Sequence, residues 1–387
     1  MGSSIFFDAI VVGGGPAGGA AAISLARAGW RTALLERQPR NRFKTCGHCL
    51  SHHAWPLLQH LGIAAETASL ARGRIHAMRL HLPRSIPLHI PLIASADQSE
   101  GLLIERSRFD QWLIDRAARH GAEILQPTSL RSCSLSHGAA RIEIEVAGRR
   151  QTLSCGLIVG ADGLRSRVAQ AANLLPRRRS RGNFGFCLGA TCSARSPIEP
   201  GVVEMFLVNG GYLGIVRIGS ENLHIAGLIR KNSAVTRHPL EFSQSVVRQC
   251  EFLRDSVIRF PSEQKCQTLR AAGPMPWSPV RRSCAAVALV GDAAGFVEPF
   301  TGEGMTWALH SALLLGEIAA QTSPGHWTAR QASDYERLWR RNIGRAHRRC
   351  RSIGFFLRRP RLTRMAALIV RGRPKVAQRM AELVVAP

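Results

Sequence analysis

Three glycines near the start of the chain have the spacing of a phosphate-binding turn. Gly13, Gly15 and Gly18 fit the pattern G-x-G-x-x-G. In that pattern the first glycine permits a tight turn, the second lets backbone N–H groups approach a pyrophosphate, and the third lets the next helix pack closely. The helix N-terminus adds partial positive charge. Glu36, 18 residues beyond Gly18, can accept a hydrogen bond from a ribose hydroxyl. We therefore predict dinucleotide binding.

Two carboxylates further along the chain also stand in glycine-marked turns. Asp162 precedes Gly163, and Asp292 follows Gly291. The strand before Asp162 returns to the nucleotide after a long excursion, which predicts Asp162 beside the phosphate region. The carboxylate of Asp292, after another strand, can accept a hydrogen bond from a polyol hydroxyl. Residues 302–304 place free backbone N–H groups at a helix start, which suits an electron-rich carbonyl edge. A flavin has both a ribityl chain and a pyrimidine edge that becomes anionic on reduction, so these residues suit flavin chemistry.

A C-x-x-C motif, Cys46 to Cys49, lies among several histidines and has three interpretations. A zinc site would need ligands from a second location, and the sequence shows no partner pair. A redox dithiol could exchange electrons with a flavin. In the interpretation that we favour, the loop faces the cofactor and Cys49 is a small apolar residue. We predict no metal centre.

Acid–base chemistry has only scattered candidates. The sequence contains no convincing Ser/His/Asp set for nucleophilic catalysis. His48 and Tyr212 are the catalytic candidates, with His52 and His53 as further acid–base helpers. Trp277 suits either the wall of a substrate site or the core.

The elements that must position these residues follow from hydrophobic periodicity. An apolar run from Ile5, a helix over 20–28 and an apolar strand over 32–35 form one strand–turn–helix–strand unit. Alternating apolar and polar residues predict antiparallel strands within 73–93 and 202–229. That sheet would cover the nucleotide domain and offer an apolar wall to a substrate.

The composition bounds the class of protein. The chain has 387 residues, with 52 basic and 26 acidic side chains and a net charge of +26. Nearly all the basic residues are arginine, so the surface should attract anions. Ten cysteines form no framework and no signal peptide precedes the first strand, so we expect reduced thiols and a cytoplasmic location. No apolar run reaches the ~18 residues that span a bilayer.

The glycine-marked segments together resemble the FAD fingerprints of the flavoprotein monooxygenase superfamily, which has the para-hydroxybenzoate-hydroxylase-like fold. Within it the chain looks most like the geranylgeranyl reductase-like branch. That similarity rests on Lys44-x-Cys46-Gly47, Arg106-x-x-Phe109-Asp110 and the segment 299–304, Pro-Phe-Thr-Gly-Glu-Gly. The branch also includes small FAD-dependent monooxygenases with a C-G-x-x-L-S loop like residues 46–51.

The resemblance implies a role for each matching position. Arg106 would contact the pyrophosphate or ribityl region, Asp292 would hold the ribityl chain, and residues 299–304 would line the isoalloxazine. Motif and resemblance together assign to FAD the positions Gly13, Gly15, Pro16, Ala17, Gly18, Glu36, Arg37, Cys46, Gly47, Arg106, Asp162, Gly163, Gly291, Asp292, Pro299, Gly302, Glu303 and Gly304.

The predicted fold class is α/β. We expect a Rossmann-type (GR2-like) FAD-binding domain, an interleaved antiparallel β-sheet substrate domain and a C-terminal helical tail. The expected boundaries are 1–72, 102–175 and 285–330 for the FAD-binding domain, 73–101 and 176–284 for the substrate domain, and 331–387 for the basic helical region.

The expected activity is that of an FAD-dependent oxidoreductase. We expect a monooxygenase of secondary metabolism that hydroxylates a hydrophobic aromatic or polyketide-type molecule through a flavin hydroperoxide. The alternative is a reductase of isoprenoid double bonds, and a non-catalytic basic flavoprotein is a third. Thr306 and His310 depart from the Asn and Asp of aromatic hydroxylases, and the halogenase tryptophan-rich segment is missing. Electrons would come from NAD(P)H or a separate reductase.

The C-terminal region is densely basic, with an apolar cluster at 353–357. It suits a solvated helix on the FAD domain or peripheral contact with an anionic membrane surface, which would serve a hydrophobic substrate. No aromatic-interleaved basic motif occurs, so we expect no nucleic-acid partner.

Overall fold

A computed structural model describes residues 5–41, 44, 46–82, 86–93, 99–136, 138–176, 183–192, 196–208, 211–229, 239–253, 258–260, 270–275, 278–297 and 299–357. The strands are β1 (Ile5–Val12), β2 (Thr32–Leu35), β3 (Cys49–Leu50), β4 (Gly73–Ile75), β5 (Ala77–His81), β6 (Leu88–Pro91), β7 (Gly101–Leu103), β8 (Glu123–Leu125), β9 (Thr128–Ser136), β10 (Ala139–Val146), β11 (Arg149–Gly160), β12 (Asn183–Cys192), β13 (Val202–Val208), β14 (Gly211–Ile218), β15 (Asn222–Ile229), β16 (Ile258–Arg259), β17 (Arg270–Met275), β18 (Ser283–Cys284) and β19 (Val287–Leu289). The helices are α1 (Pro16–Arg27), α2 (Trp55–His60), α3 (Ala64–Leu70), α4 (Arg106–Arg119), α5 (Arg167–Ala171), α6 (Pro239–Gln249), α7 (Gly304–Ala319), α8 (Ala329–Trp339) and α9 (Arg345–Leu357).

The nucleotide domain is built on a sheet with the strand order β18-β19-β11-β1-β2-β8. Strand β1 pairs in parallel with β11 and β2, and those two pair in parallel with β19 and β8. The carboxyl ends are aligned, because Val12 stands opposite both Leu35 and Gly160, and Gly160 stands opposite Leu289. The turns that follow therefore meet at one edge of the sheet. The predicted α/β class with a Rossmann-type sheet is confirmed.

Close helix packing on this sheet depends on glycine. Helix α1 begins at Pro16, four residues before the start predicted from hydrophobic periodicity. Proline is tolerated there because the first turn of a helix does not use its backbone N–H. A Cβ on Gly19 would lie 2.6 Å from the Cβ of Leu113 in α4, and one on Gly316 in α7 would lie 2.5 Å from the Cβ of Ser24. Both neighbouring helices thus approach α1 closely because these positions lack side chains.

The second sheet has the order β16-β12-β15-β14-β13-β5-β6, with β17 on β12. Strands β13, β14 and β15 pair antiparallel, as predicted. Strand β12, which the sequence analysis did not predict, pairs antiparallel with β15. Strand β5 is different, since it pairs in parallel with β13. The chain between them crosses the nucleotide domain, and such a long connection permits parallel pairing where a hairpin would not. Strand β4, predicted for this sheet, instead pairs with β7 in a small sheet β3-β7-β4.

Alternation along β13 separates the two faces of the second sheet. Val203 and Met205 belong to a core that includes Phe300 of the nucleotide domain. Phe206 packs on the opposite face with Phe242 of α6. One face is therefore covered by its own helix, and the other faces the nucleotide domain with an apolar surface.

The C-terminal helices dock on the nucleotide domain. The Tyr335 hydroxyl donates to the Leu289 carbonyl at 2.7 Å, and Arg282 pairs with Glu336 at 3.0 Å. A π-helical turn, Arg340–Gly344, joins α8 to α9. Trp277 and the part of the predicted tail beyond Leu357 lie outside the described residues. Within the described part of the chain, no helix has both the length and the apolar character needed to cross a membrane.

Candidate cofactor and substrate site

A cavity of about 1170 Å³ lies between the two large sheets. Pockets for single drug-sized ligands measure roughly 300–1,000 Å³, so this one offers room for a cofactor together with a substrate. Its walls combine the glycine turns of the nucleotide domain with apolar side chains of the second sheet, among them Val203, Met205 and Val216.

The glycine turn after β1 forms a close-fitting backbone cradle. Gly13 has φ +108°, and a Cβ there would lie 2.4 Å from the Ala161 carbonyl oxygen. A Cβ on Gly18 would lie 1.7 Å from the Gly13 carbonyl oxygen. No side chain caps α1 at Gly15, and its first turn, which includes Pro16 and Ala17, contains no acid. An uncapped helix start behind a glycine turn fits a pyrophosphate.

Glu36 holds the glycine turn in place. Its side chain is buried at the end of β2, where Oε2 accepts from the Gly14 N–H and Oε1 from the Gln38 N–H, both at 2.8 Å. Glu36 and Arg37 both line the cavity. The carboxylate thus shapes the turn, and its contact with a ribose remains a prediction.

Asp162 lies directly beside the glycine turn, as predicted from its position after β11. A Cβ on Gly13 would lie 3.1 Å from the Asp162 Cα. Oδ2 accepts from the Arg167 N–H at 2.6 Å, whereas Oδ1 is buried without a hydrogen-bond partner among the described residues. Burial raises the pKa of this carboxyl. Asp162 and Gly163 both line the cavity. A polar ligand there would provide the hydrogen bond that Oδ1 lacks among the described residues.

The third carboxylate turn meets the start of α1. Gly291 has φ +59° and donates its N–H to Ser311 Oγ at 2.8 Å. A Cβ on Gly291 would lie 2.7 Å from the Ala17 Cβ. Asp292 pairs with Lys44 at 3.8 Å. The fold therefore brings the Lys44-x-Cys46-Gly47 loop to the carboxylate expected to hold the ribityl chain.

The C-x-x-C loop is tightly packed against its own backbone. The Cys49 thiol donates to the Gly47 carbonyl at 3.3 Å, and the His48 N–H donates to Cys46 Sγ at 3.4 Å. Both cysteines are free thiols. Burial, with a contribution from Cys46, raises the pKa of Cys49 to about 12. Because the thiolate is the reactive form, this supports Cys49 as a small packing residue over a redox dithiol. The described residues contain no cluster of three or more potential metal ligands.

Arg106 begins α4 and lines the cavity. Its Nε and Nη2 donate to the two carboxylate oxygens of Asp110 at 2.7 and 2.9 Å, and both side chains are buried. The aspartate one helical turn later therefore fixes the guanidinium. Contact between Arg106 and FAD remains a prediction.

The segment 299–304 borders the cavity between the C-x-x-C loop and α7. A 3₁₀ turn begins at Pro299. Gly302 has φ +71°, and a Cβ there would lie 3.3 Å from the Cys49 Cβ. Glu303 stands at the N-cap of α7, immediately before Gly304, and is buried. It lies 3.5 Å from Nδ1 of His53.

The two catalytic candidates named from the sequence are closely packed. The His48 ring lies 4.0 Å from that of His224, and burial, then His224 and Arg106, lowers the pKa of His48 to about 3. Tyr212 is buried and edge-on to Phe300. His48 is thus neutral near pH 7 and a poor proton source, while a catalytic role for Tyr212 remains a prediction.

Several cavity residues escaped the sequence interpretation. Trp339, Ile343 and His347 line the cavity from α8, the π-helical turn and α9. Their four-residue spacing was the available signal, but the surrounding arginines masked it. His224 of β15, which bonds the Cys46 carbonyl at 2.6 Å, had no local signal, because the two residues are distant in sequence.

Aligned glycine turns on a parallel sheet, facing an apolar antiparallel sheet, define a dinucleotide-dependent oxidoreductase fold. The profile of the family described as FAD binding domain matches residues 7–346. The chain belongs to this family, within the flavoprotein monooxygenase superfamily and with geranylgeranyl reductase-like relatives. It is an FAD-dependent oxidoreductase, and the predicted FAD cofactor is confirmed.

Among known proteins, the chain is 28% identical over 353 residues to digeranylgeranylglycerophospholipid reductase 2 of Methanothermobacter thermautotrophicus, covering 88% of this chain and 84% of that protein. It superposes on a flavoprotein/dehydrogenase from Cytophaga hutchinsonii with a TM-score of 0.83 at 17% identity, covering 98% and 93%. A geranylgeranyl bacteriochlorophyll reductase-like protein from Thermoplasma acidophilum gives 0.80 at 19%, covering 98% and 100%. The structural likenesses show the fold.

Proposed function

We propose that this protein is an FAD-dependent reductase that saturates double bonds of an isoprenoid chain. The observation that carries the proposal is the match along 88% of the chain to a protein named digeranylgeranylglycerophospholipid reductase. Of the activities expected from the sequence, that match supports the alternative over hydroxylation of an aromatic or polyketide-type molecule.

The cavity supports an extended hydrophobic substrate. Beside the apolar face of the second sheet, Val297 and Phe300 of the nucleotide domain and Ile343 of the C-terminal helices line it. Burial of such side chains against an isoprenoid would contribute about 25 cal/mol per Å² of apolar surface removed from water. The apolar walls would also exclude water from the reacting carbons.

The glycine cradle and the Asp162 oxygen without a partner among the described residues support FAD binding by the nucleotide domain. The N-terminus of α1 would hold the pyrophosphate, and Glu36 would hold the ribose. Asp292 would hold the ribityl chain. Bound FAD would supply reducing equivalents to the double bond. We infer that these reach it from NAD(P)H or a separate reductase.

The outer face of the C-terminal helices supports a peripheral membrane partner. Arg341, Arg345, Arg348 and Arg351 are exposed, and no acidic residue occurs between 337 and 357. Anionic lipid would satisfy these charges, at about 1 kcal/mol per arginine near the surface. Vesicles rich in phosphatidylserine should float the wild type but not a variant with Arg345 and Arg348 changed to glutamate. The same change at exposed Arg149 and Arg150 is the control, and equal flotation of all three would contradict the idea.

Anaerobic turnover tests the proposed activity. The FAD-loaded protein, reduced with dithionite, is incubated without oxygen with digeranylgeranylglycerol phospholipid. We expect mass spectrometry to show products that gain two hydrogens per double bond saturated. Turnover that requires stoichiometric oxygen and yields an oxygenated product would overturn the proposal in favour of hydroxylation.

A further inference from the structure

Saturation of a carbon–carbon double bond adds two electrons and two protons in all. Within the proposed function, one carbon would receive both electrons and one proton from the reduced cofactor. The second proton must reach the other carbon from an acid in the cavity. With an isoprenoid packed against the apolar walls, a side chain at the cavity surface would be the effective source.

His53 and Glu303 form a pair at the cavity surface. His53 lies in the 3₁₀ turn before α2, Glu303 starts α7, and both line the cavity. Nδ1 of His53 lies 3.5 Å from Oε1 of Glu303, a distance typical of an ion pair but long for a hydrogen bond. The Glu303 side chain is only 2% exposed, and its Oε2 has no hydrogen-bond partner among the described residues.

The burial of Glu303 makes a neighbouring cation valuable. A carboxylate removed from water loses several kcal/mol of solvation unless an opposite charge lies close to it. A proton on His53 would provide that charge at 3.5 Å. Nδ1 is buried against Glu303 while the His53 side chain remains 26% exposed, so the accessible edge of the ring is the one away from the carboxylate.

Three neighbouring titratable groups that line the cavity are engaged differently. Nδ1 of His52, whose ring lies 3.9 Å from that of His53, bonds the Leu92 carbonyl at 3.1 Å. His224 bonds the Cys46 carbonyl, and burial lowers its pKa to about 4. The raised pKa of Cys49 leaves its thiol a very weak acid.

We infer that His53 is the acid that completes double-bond reduction, and that Glu303 is the residue that positions it. Nε2 of His53 gives its proton to the substrate carbon as the other carbon receives the two electrons and one proton from the cofactor. Two new C–H bonds replace the π bond, and the neutral imidazole left behind takes a proton from water after product release. This inference rests on the proposed function.

The test compares His53→Ala, Glu303→Gln and Glu303→Asp with the wild type, and His60→Gln is the control. His60 is an exposed histidine at the end of α2, the helix that follows the 3₁₀ turn of His53. Each FAD-loaded protein is assayed for FAD content and for the absorbance change that digeranylgeranylglycerol phospholipid causes in the oxidised form. It is then reduced with dithionite, and its anaerobic reoxidation by the same lipid is timed.

We expect His53→Ala and His60→Gln to keep wild-type FAD content and the lipid-induced absorbance change. Rates of the two Glu303 variants are compared per FAD bound, because Glu303 belongs to the segment expected to line the cofactor. Reoxidation should slow by about 100- to 10,000-fold in His53→Ala and by less in Glu303→Gln. Added imidazole should restore part of the rate to His53→Ala, and Glu303→Asp should be faster than Glu303→Gln. His60→Gln should match the wild type.

The outcomes separate the two proposals. Wild-type reoxidation that is unchanged in His53→Ala overturns the role of His53 and leaves the reductase function standing. Loss of FAD from His53→Ala, with no rescue by imidazole, shows a structural role for His53 and also overturns it. If the lipid does not reoxidise the reduced wild-type protein, the proposed function and this inference are both overturned.

Discussion

Replacement of Asp110 by asparagine tests the reasoning about the buried charges of the site. Arg106 is 5% exposed and Asp110 is 1% exposed. The two side chains are joined by hydrogen bonds of 2.7 and 2.9 Å. Removal of one partner from a buried pair costs about 3–5 kcal/mol, because the remaining charge stays desolvated. The amide oxygen of asparagine can still accept one bond, so we expect the lower end, about 3 kcal/mol. The unfolding equilibrium constant would rise by about 150-fold.

Urea unfolding followed by circular dichroism measures this loss, at one fixed FAD concentration for all variants. Asp115→Asn, on the same helix, is the matched control. Asp115 pairs with Arg40 at 2.8 Å, but those side chains are 42% and 61% exposed, and such pairs contribute about 0–1 kcal/mol. The double change Arg106→Met with Asp110→Leu should recover much of the lost stability. Equal losses for Asp110→Asn and Asp115→Asn would refute the reasoning.

Three further predictions concern single positions. Gly18→Ala should lower the midpoint of urea unfolding strongly, because its Cβ would lie 1.7 Å from a backbone oxygen. The control Gly304→Ala should leave the midpoint nearly unchanged, because a Cβ there meets nothing within 4 Å. Equal midpoints for the two variants would contradict this. Cys49 in the folded protein at pH 8 should resist iodoacetamide, because burial and Cys46 raise its pKa to about 12; peptide mass spectrometry should find it labelled only after denaturation. Burial, followed by the charges of Arg351 and Arg282, lowers the pKa of His347 from 6.5 to about 3. As the pH is lowered from 6.5 towards 3, the unfolded chain takes up this proton and the folded protein does not, so the free energy of unfolding decreases. His347→Phe should therefore lose about 2 kcal/mol less stability than the wild type between pH 7 and pH 5, and parallel slopes in urea titrations would count against that.

Local patterns predicted the parts of the fold that depend on neighbouring residues. The Gly13 turn, the strand before Glu36 and the strand before Asp162 were predicted because glycine spacing and apolar runs are short-range signals. Strand β5 was predicted as a strand, but not its parallel pairing with β13. Pairing across a long connection depends on where the chain returns, and no local pattern records that.

The cavity shows the same division between local and distant information. Gly302–Gly304 was recognised as a helix start beside a ligand, since both features lie within one short segment. The approach of His53 to Glu303 joins residues 250 positions apart, and the inner face of Trp339, Ile343 and His347 becomes a cavity wall only because α8 docks on β19 through Tyr335. These contacts arise from packing.

By itself the sequence determined that this chain binds a dinucleotide on a Rossmann-type sheet, because phosphate recognition needs glycines at fixed short spacing and a carboxylate at the next strand end. The tertiary structure decided which distant groups share the cavity. Parallel strands aligned from Val12 to Gly160 and Leu289 bring the carboxylate turns to one edge, and the second sheet and the C-terminal helices enclose the space above it. Sheet register and helix docking are long-range events, and they place a buried carboxylate beside a histidine where a substrate can reach it.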